Sequence, residues 1–95
     1  MERFMKIIFM GLPAKYRDLH DLDPDEFVEL MRSLMSRKFR MMKTPKRLRL
    51  QVNGNQRFVG YKTIMKASML LDRILDYIRK YGYRPDKILR LLSGC

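Results

Sequence analysis

One segment near the middle of the chain restricts the fold more than any other. Lys46–Val52 (KRLRLQV) alternates strictly between polar and apolar residues, which is the two-residue period of a half-buried strand. Asn53–Gly54 follows, and both residue types tolerate the positive φ angles of a tight turn. Gln56–Lys62 (QRFVGYK) then returns as a second strand. The sequence therefore predicts an antiparallel β-hairpin.

The loop length of this hairpin decides which side chains share a face. A two-residue loop places Phe58 beside Arg47 and Arg49, because residues that pair across the two strands project on the same side of the sheet. A three-residue loop instead buries Phe58 with the leucines and exposes Arg57 and Tyr61. Either register leaves at least two arginines and one aromatic ring on one face.

A helix is predicted before the hairpin. It begins at Asp23–Glu26 (DPDE), which offers a capping aspartate, a proline at the first helical position and a glutamate three residues after the cap. We expect it to end near Lys43, because the residue before Pro45 avoids the α region. Its apolar stripe, with a cationic end, comprises Phe27, Leu30, Met31, Leu34, Met35, Lys38 and Met42.

A second long helix is predicted over Thr63–Tyr81, with Gly82 placed to end it. Additional apolar residues widen its stripe beyond the thin seam of a coiled coil. Packing on a sheet is therefore favoured over a homodimer or a protein partner, which stay open as alternatives. The stripe comprises Ile64, Ala67, Leu71, Ile74, Ile78 and Tyr81.

The remaining segments lie towards the two ends of the chain. Phe4–Met10 (FMKIIFM) is a short apolar run that ends before Gly11 and Pro13, which predicts a buried strand. Ala14–Leu22 is polar and suits a connection. Pro85–Leu92 (PDKILRLL) begins like a short helix, and an edge strand is the alternative.

Together these elements predict a small α+β domain over residues 1–95, with the order β-α-β-β-α and a short C-terminal helix. With a C-terminal strand, the order would instead be the ferredoxin-like split βαβ that RNA-recognition motifs use. Gln56–Tyr61 lacks the basic-Gly-aromatic-Gly-aromatic pattern of that family, so we assign no family.

Charge gives the strongest indication of function. The net charge is +11, and no acidic residue occurs between Leu30 and Leu71. Bases and acids balance elsewhere, so the whole excess comes from this window. Cations without compensating acids are typical of a surface that binds a polyanion. The basic residues of the window are Arg32, Arg37, Lys38, Arg40, Lys43, Lys46, Arg47, Arg49, Arg57, Lys62 and Lys66.

Cysteine use bears on the cellular setting. Cys95 is the single cysteine, so the sequence allows no internal disulfide, and we expect a cytoplasmic or other reducing intracellular compartment. Cys95 itself is interpreted as an exposed terminus, with a free thiol, a cross-link between chains or a cloning remnant as alternatives. Met1–Met10 contains Arg3 and Lys6 and is expected to be neither a signal peptide nor a membrane span.

No enzyme activity, metal or cofactor is expected. One histidine and one cysteine cannot supply the four ligands of a structural zinc site. Asp21, Asp23 and Asp25 alternate as in a calcium loop, but the glycine and final glutamate of such a loop are absent. A magnesium-dependent nuclease that uses Asp18, Asp21 and Asp23 is the remaining enzymatic alternative.

The leading hypothesis is a small RNA-binding or ribonucleoprotein component. Arg37, Arg40 and Lys43 are spaced three apart and would form a row of phosphate contacts along the first long helix. The row would continue onto the hairpin, where Phe58 or Tyr61 offers a ring on which bases stack. The predicted nucleic-acid-binding residues are Arg37, Arg40, Lys43, Lys46, Arg47, Arg49, Arg57, Phe58, Tyr61, Lys62 and Lys66.

Two other classes stay open. One is a DNA-binding protein or transcriptional regulator, in one version dimeric through Thr63–Tyr81. It would contact base edges through Arg47, Arg49, Gln51 and Arg57. The other is an interaction module whose basic face binds an acidic protein or an anionic membrane surface.

Methionines on the two long helices are expected mainly to fill the core, and Met41 and Met42 are the candidates for a partner contact.

Overall fold

The computed structural model describes residues 1–94, so the interpretation of Cys95 as an exposed terminus lies outside the described residues. Within that range the chain is a small α+β domain in which helices predominate and a single antiparallel pair of strands forms the sheet. The elements are α1 (Glu2–Met10), a 3₁₀-helix (Ala14–Asp21), α2 (Pro24–Phe39), β1 (Arg47–Val52), β2 (Asn55–Gly60), α3 (Tyr61–Tyr81) and α4 (Pro85–Ser93).

The N-terminal segment departs most from the sequence prediction, because Phe4–Met10 is helical and the predicted first strand is wrong. The Glu2 and Lys6 side chains, one helical turn apart, lie 3.5 Å from each other. A short apolar run does not by itself distinguish a strand from a buried helix. The buried residues of α1 have helical spacing and are Phe4, Met5, Ile8 and Phe9.

The C-terminal segment is the predicted short helix, α4, which buries Ile88 and Leu92. No C-terminal strand pairs with the hairpin in residues 1–94, so the ferredoxin-like alternative is wrong. The predicted connection after α1 is a 3₁₀-helix that buries Tyr16 and Leu19.

The hairpin is present with the two-residue loop, but its second strand ends at Gly60, because Tyr61 and Lys62, predicted to belong to that strand, begin α3. Val52 pairs with Asn55, and Asn53 and Gly54 turn the chain with φ angles of 51° and 80°. This register puts Leu48, Leu50 and Val59 on the inner face, where all three are buried in the core. The alternative register with a three-residue loop is therefore wrong.

Helix α2 begins as predicted, since the Asp23 backbone N–H donates to the Glu26 carboxylate at 2.8 Å. It ends at Phe39, however, four residues before the predicted end at Lys43. The lysine follows a Schellman turn, in which Met41 takes a positive φ of 56° and exposes 92% of its surface.

Two hydrogen bonds define that turn. The Met41 N–H donates to the Lys38 carbonyl at 3.1 Å, and the Met42 N–H donates to the Arg37 carbonyl at 2.8 Å. Together they satisfy carbonyls that the end of a helix leaves open. This local bonding ends α2 before the proline has any effect.

The core lies between α1, α2, α3 and the inner face of the hairpin. Helix α3 starts at Tyr61, two residues earlier than predicted, and ends where Gly82 has a positive φ of 76°. Its apolar stripe packs within the same chain, but on α2, the 3₁₀-helix and α4 as well as on the hairpin, so the predicted packing on a sheet is only part of the contact. Tyr81, predicted to end the stripe, is exposed. A homodimer through α3 stays a prediction and would need other side chains. The buried stripe includes Ile64, Ala67, Leu70, Leu71 and Ile74.

Candidate nucleic-acid interface

The strands of the hairpin turn a second set of side chains away from the core. This outer face follows from the two-residue period, because its residues alternate with the buried Leu48, Leu50 and Val59. All of its side chains are exposed, and none is acidic. The outer face consists of Arg47, Arg49, Gln51, Gln56 and Phe58.

An arginine and a phenylalanine are stacked on the outer face. The guanidinium carbon of Arg47 lies 3.9 Å from the centroid of the Phe58 ring. Phe58 pairs with Arg49 across the sheet and exposes 54% of its surface. A guanidinium held over a ring loses little further freedom when it binds, so this contact orders a cation beside an exposed aromatic surface.

Neither arginine of the outer face has an acidic partner within residues 1–94. The ion pairs of this part of the chain involve other cations, and those closest to the hairpin lie on its inner side or its tip. The positive charge of Arg47 and Arg49 is therefore available to an anionic ligand.

Arg57 is placed differently from the sequence expectation. It pairs with Leu50 on the inner face, where its guanidinium donates to the Glu26 carboxylate at 3.0 Å and to the Asp21 carbonyl at 2.9 Å. These bonds join β2 to the residues around the start of α2. Arg57 thus does not share the outer face with Arg47 and Arg49, because the two-residue loop puts it on the other side of the sheet.

The predicted row of cations along α2 does not form. Arg37 is helical, but Arg40 is the C-cap and Lys43 lies beyond the Schellman turn, so the helical spacing is lost. Arg37 and Arg40 instead line one open groove on α2 together with Met42. Lys46 is exposed just before β1.

The other predicted contacts lie at the start of α3. Tyr61 and Lys62 occupy the first turn and are both exposed. Lys66, one turn later, lies 3.7 Å from the carboxylate of Asp18, so its charge is partly compensated. Tyr61 and Lys62 directly follow the last residue of β2 in the chain, whereas Lys66 lies one turn further along α3.

The methionines divide between core and surface. Met31 is buried in α2, whereas Met41, Met42 and Met69 are exposed. The early end of α2 explains Met41 and Met42, which lie beyond the helix and no longer continue its apolar stripe. They stay candidates for a partner contact.

The hairpin tip is held by a small polar network. Asn53 donates to the Asp25 carboxylate at 3.3 Å, and the Lys6 ammonium lies 3.0 Å from the same carboxylate. The hydrogen bond from Lys6, with that from Asn53, lowers the pKa of Asp25 below its ordinary value. The bond to Asp25 in turn raises the pKa of Lys6. Lys6 thus compensates the charge of Asp25, the carboxylate that contacts the hairpin tip.

The residues considered for catalysis have other contacts. Asp18 faces Lys66, and His20 packs on Phe9 with ring centroids 5.0 Å apart. In the described part of the chain, no three acidic or histidine side chains cluster as a metal site would require. Over the same residues, no helix combines the length and the apolar character needed to cross a membrane.

Sequence reasoning did not single out two serines that also line the α2 groove, Ser33 and Ser36. Their spacing of three from each other, and of four from Arg37 and Arg40, would have placed all four on one flank of α2, beside its apolar stripe. The serine hydroxyls carry no charge, so the pattern of basic residues does not point to them.

Comparison with known proteins found no match: no family model matches the chain, nor does any curated protein or solved structure.

Proposed function

We propose that this protein binds RNA, as a small RNA-binding or ribonucleoprotein component, through the outer face of its hairpin. The observation that carries the proposal is the stack of Arg47 on the exposed ring of Phe58, next to Arg49, with no acidic partner for either arginine in residues 1–94. Exposed cations that form no ion pair with a carboxylate favour a phosphate-rich ligand.

Each part of the outer face has a role in this proposal. Arg47 and Arg49 bind backbone phosphates, for which the planar guanidinium offers two parallel donors. Phe58 stacks on an unpaired base on the side of the ring that Arg47 leaves open. Tyr61 and Lys62 continue the contact beyond β2.

Unpaired RNA suits this face better than a duplex does. A ring that is half-exposed on a sheet can stack only on a base that is free of its own neighbours, and single strands and loops supply such bases.

Duplex DNA is the second candidate, because Gln51 and Gln56 pair across the strands of the outer face. A two-stranded ribbon fits the major groove, and glutamine amides can pair with adenine edges there. In that case Arg47 and Arg49 would contact guanines or flanking phosphates.

The test is a binding titration against labelled single-stranded RNA, hairpin RNA and duplex DNA, repeated with Phe58→Leu. The leucine keeps an apolar side chain but removes the stacking surface, so affinity for single-stranded RNA should fall about tenfold. Duplex affinity should hardly change. Phe39→Leu, the same substitution at an exposed phenylalanine off the outer face, is the matched control and should change neither affinity.

Preference for duplex DNA, with no effect of Phe58→Leu, would support the second candidate. Equal weak binding to every nucleic acid, unchanged by Phe58→Leu, would overturn both. The charge would then serve a different anionic partner.

A further inference from the structure

The exposed side of α2 carries a groove that is separate from the outer face of the hairpin. It is open and about 360 Å³ in volume, and six of its seven lining residues end in a polar or charged group. Met42 is its apolar contributor. The lining residues, called the α2 groove below, are Glu29, Arg32, Ser33, Ser36, Arg37, Arg40 and Met42.

We propose that the α2 groove binds a phosphate group through Arg37, Arg40, Ser33 and Ser36. The ligand class is a phosphoryl group, supplied either by the backbone of a nucleic acid or by a free phosphate or nucleotide. The proposal does not require that the outer face bind RNA.

The sequence builds this groove in two steps. Helical spacing puts the two serines and two arginines on one flank of α2, beside its buried stripe, with Ser33 and Arg37 half-buried and Ser36 and Arg40 exposed. The Schellman turn then reverses the chain, because the Met42 N–H bonds back to the Arg37 carbonyl. That bond keeps Met42 against the last turn, where it closes one end of the groove.

Charge in the groove is positive at one end and compensated at the other. Arg32 lies 2.9 Å from the Glu29 carboxylate, so the only acid of the groove already has a partner. Arg37 and Arg40 have no acidic partner within residues 1–94. An anion is therefore favoured at their end of the groove, near the C-terminus of the helix, although the helix dipole there favours cations.

The serines add directed donors. In the described chain, no hydrogen bond engages the hydroxyl of Ser33 or Ser36, and Ser33 is half-buried. A phosphate held by two guanidinium groups still has oxygens to be satisfied, and short hydroxyls on the same helix face can donate to them. Two arginines and two serines thus provide both the charge and the geometry of a phosphate site.

The experiment follows backbone amide resonances of the full chain during titration with inorganic phosphate. The residues expected to shift are 33–42. Arg37→Gln/Arg40→Gln should weaken phosphate binding about tenfold. Ser33→Ala/Ser36→Ala should weaken it about threefold without loss of thermal stability, since alanine favours the helix.

Arg79→Gln/Arg90→Gln is the charge-matched control, because both arginines are exposed on other helices and have no acidic partner in the described chain. If this control weakens phosphate binding as much as Arg37→Gln/Arg40→Gln does, the groove proposal is overturned. The same holds if the serine variant binds phosphate unchanged.

Competition identifies the source of the phosphoryl group. Displacement of single-stranded RNA by a mononucleotide, lost in Arg37→Gln/Arg40→Gln, would assign the groove to a nucleic-acid backbone. Phosphate binding that leaves RNA affinity unchanged would assign it to a free ligand.

Discussion

The two faces of the hairpin use the same residue type for different purposes. On the inner face, Arg57 is bonded to the Glu26 carboxylate and the Asp21 carbonyl, and it holds the sheet against the start of α2. On the outer face, Arg47 and Arg49 have no such partners within residues 1–94, and Arg47 stacks on Phe58. The basic residues of one charge-rich window therefore do not form a single site, because the register of the hairpin decides which of them remain available to a ligand.

The largest expected effect is the difference in the free energy of unfolding between a substitution on the inner face and one on the outer face. Leu50→Ala removes a side chain that is 1% exposed, so the free energy of unfolding should fall by about 2 to 4 kcal/mol. Gln51→Ala, the next residue on the outer face, should change it by less than about 0.5 kcal/mol. Urea unfolding measures both. Similar values for the two variants would mean that the hairpin does not pack through its inner face.

The arginines of the two faces should also differ in their contribution to the free energy of unfolding, by a smaller amount. Arg57→Ala breaks the bonds to Glu26 and Asp21 and should cost about 1 kcal/mol, because the pair is partly exposed. Arg49→Ala should leave stability almost unchanged. In a double-mutant cycle, Arg57 and Glu26 should be coupled, whereas Arg49 and Glu26 should add independently. Coupling between Arg49 and Glu26 would contradict the assignment of Arg49 to the outer face.

The turn after α2 offers a stabilising change. Met41 adopts a φ of 56°, which is unfavourable for a residue with a Cβ atom. Met41→Gly should therefore raise the free energy of unfolding by about 0.5 to 1 kcal/mol. Thermal unfolding measures the gain, with Met69→Gly as the control, since Met69 is exposed in the middle of α3 and should lose stability. A loss for Met41→Gly would contradict the Schellman turn.

The smallest effect concerns the hairpin tip and depends on pH. The lowered pKa of Asp25, caused first by the bond from Lys6, means that its ionised form is favoured in the folded chain. This contribution is present above the ordinary carboxyl pKa of about 4 and is lost as the pH falls through the lower folded value. The melting temperature of the parent protein should thus exceed that of Asp25→Asn at neutral pH. The difference should vanish in acid, and a difference that stayed constant with pH would exclude the ion pair as its cause.

Local signals in the sequence predicted the parts of this fold that depend on local chemistry. The Asn53–Gly54 turn and the capping box at Asp23 are formed by residues within four positions of each other, and both are present. The end of α2 was mispredicted because the proline rule says only that a helix must stop, while the Schellman bonds decide where. Helix α1 was mistaken for a strand because its short apolar run fits both periods.

The candidate site was predictable only in part. The position of Phe58 beside Arg47 and Arg49 followed from one of two registers, and the sequence left the choice open. The separation of Arg57 depends on its contact with Glu26, which is 31 residues away along the chain. Such a contact requires the packing of the hairpin on α2, which no local pattern encodes.

The central claim is that Arg47 and Arg49 are the phosphate contacts of the hairpin. Its most direct test is the salt dependence of single-stranded RNA binding by Arg47→Gln/Arg49→Gln, compared with Arg79→Gln/Arg90→Gln, which has the same net charge. Loss of two phosphate contacts should reduce the slope of log affinity against log salt by about 1.4, or about 0.7 for each contact. The control should keep the slope of the parent protein. An equal reduction in both variants, or no reduction in the first, would contradict the account.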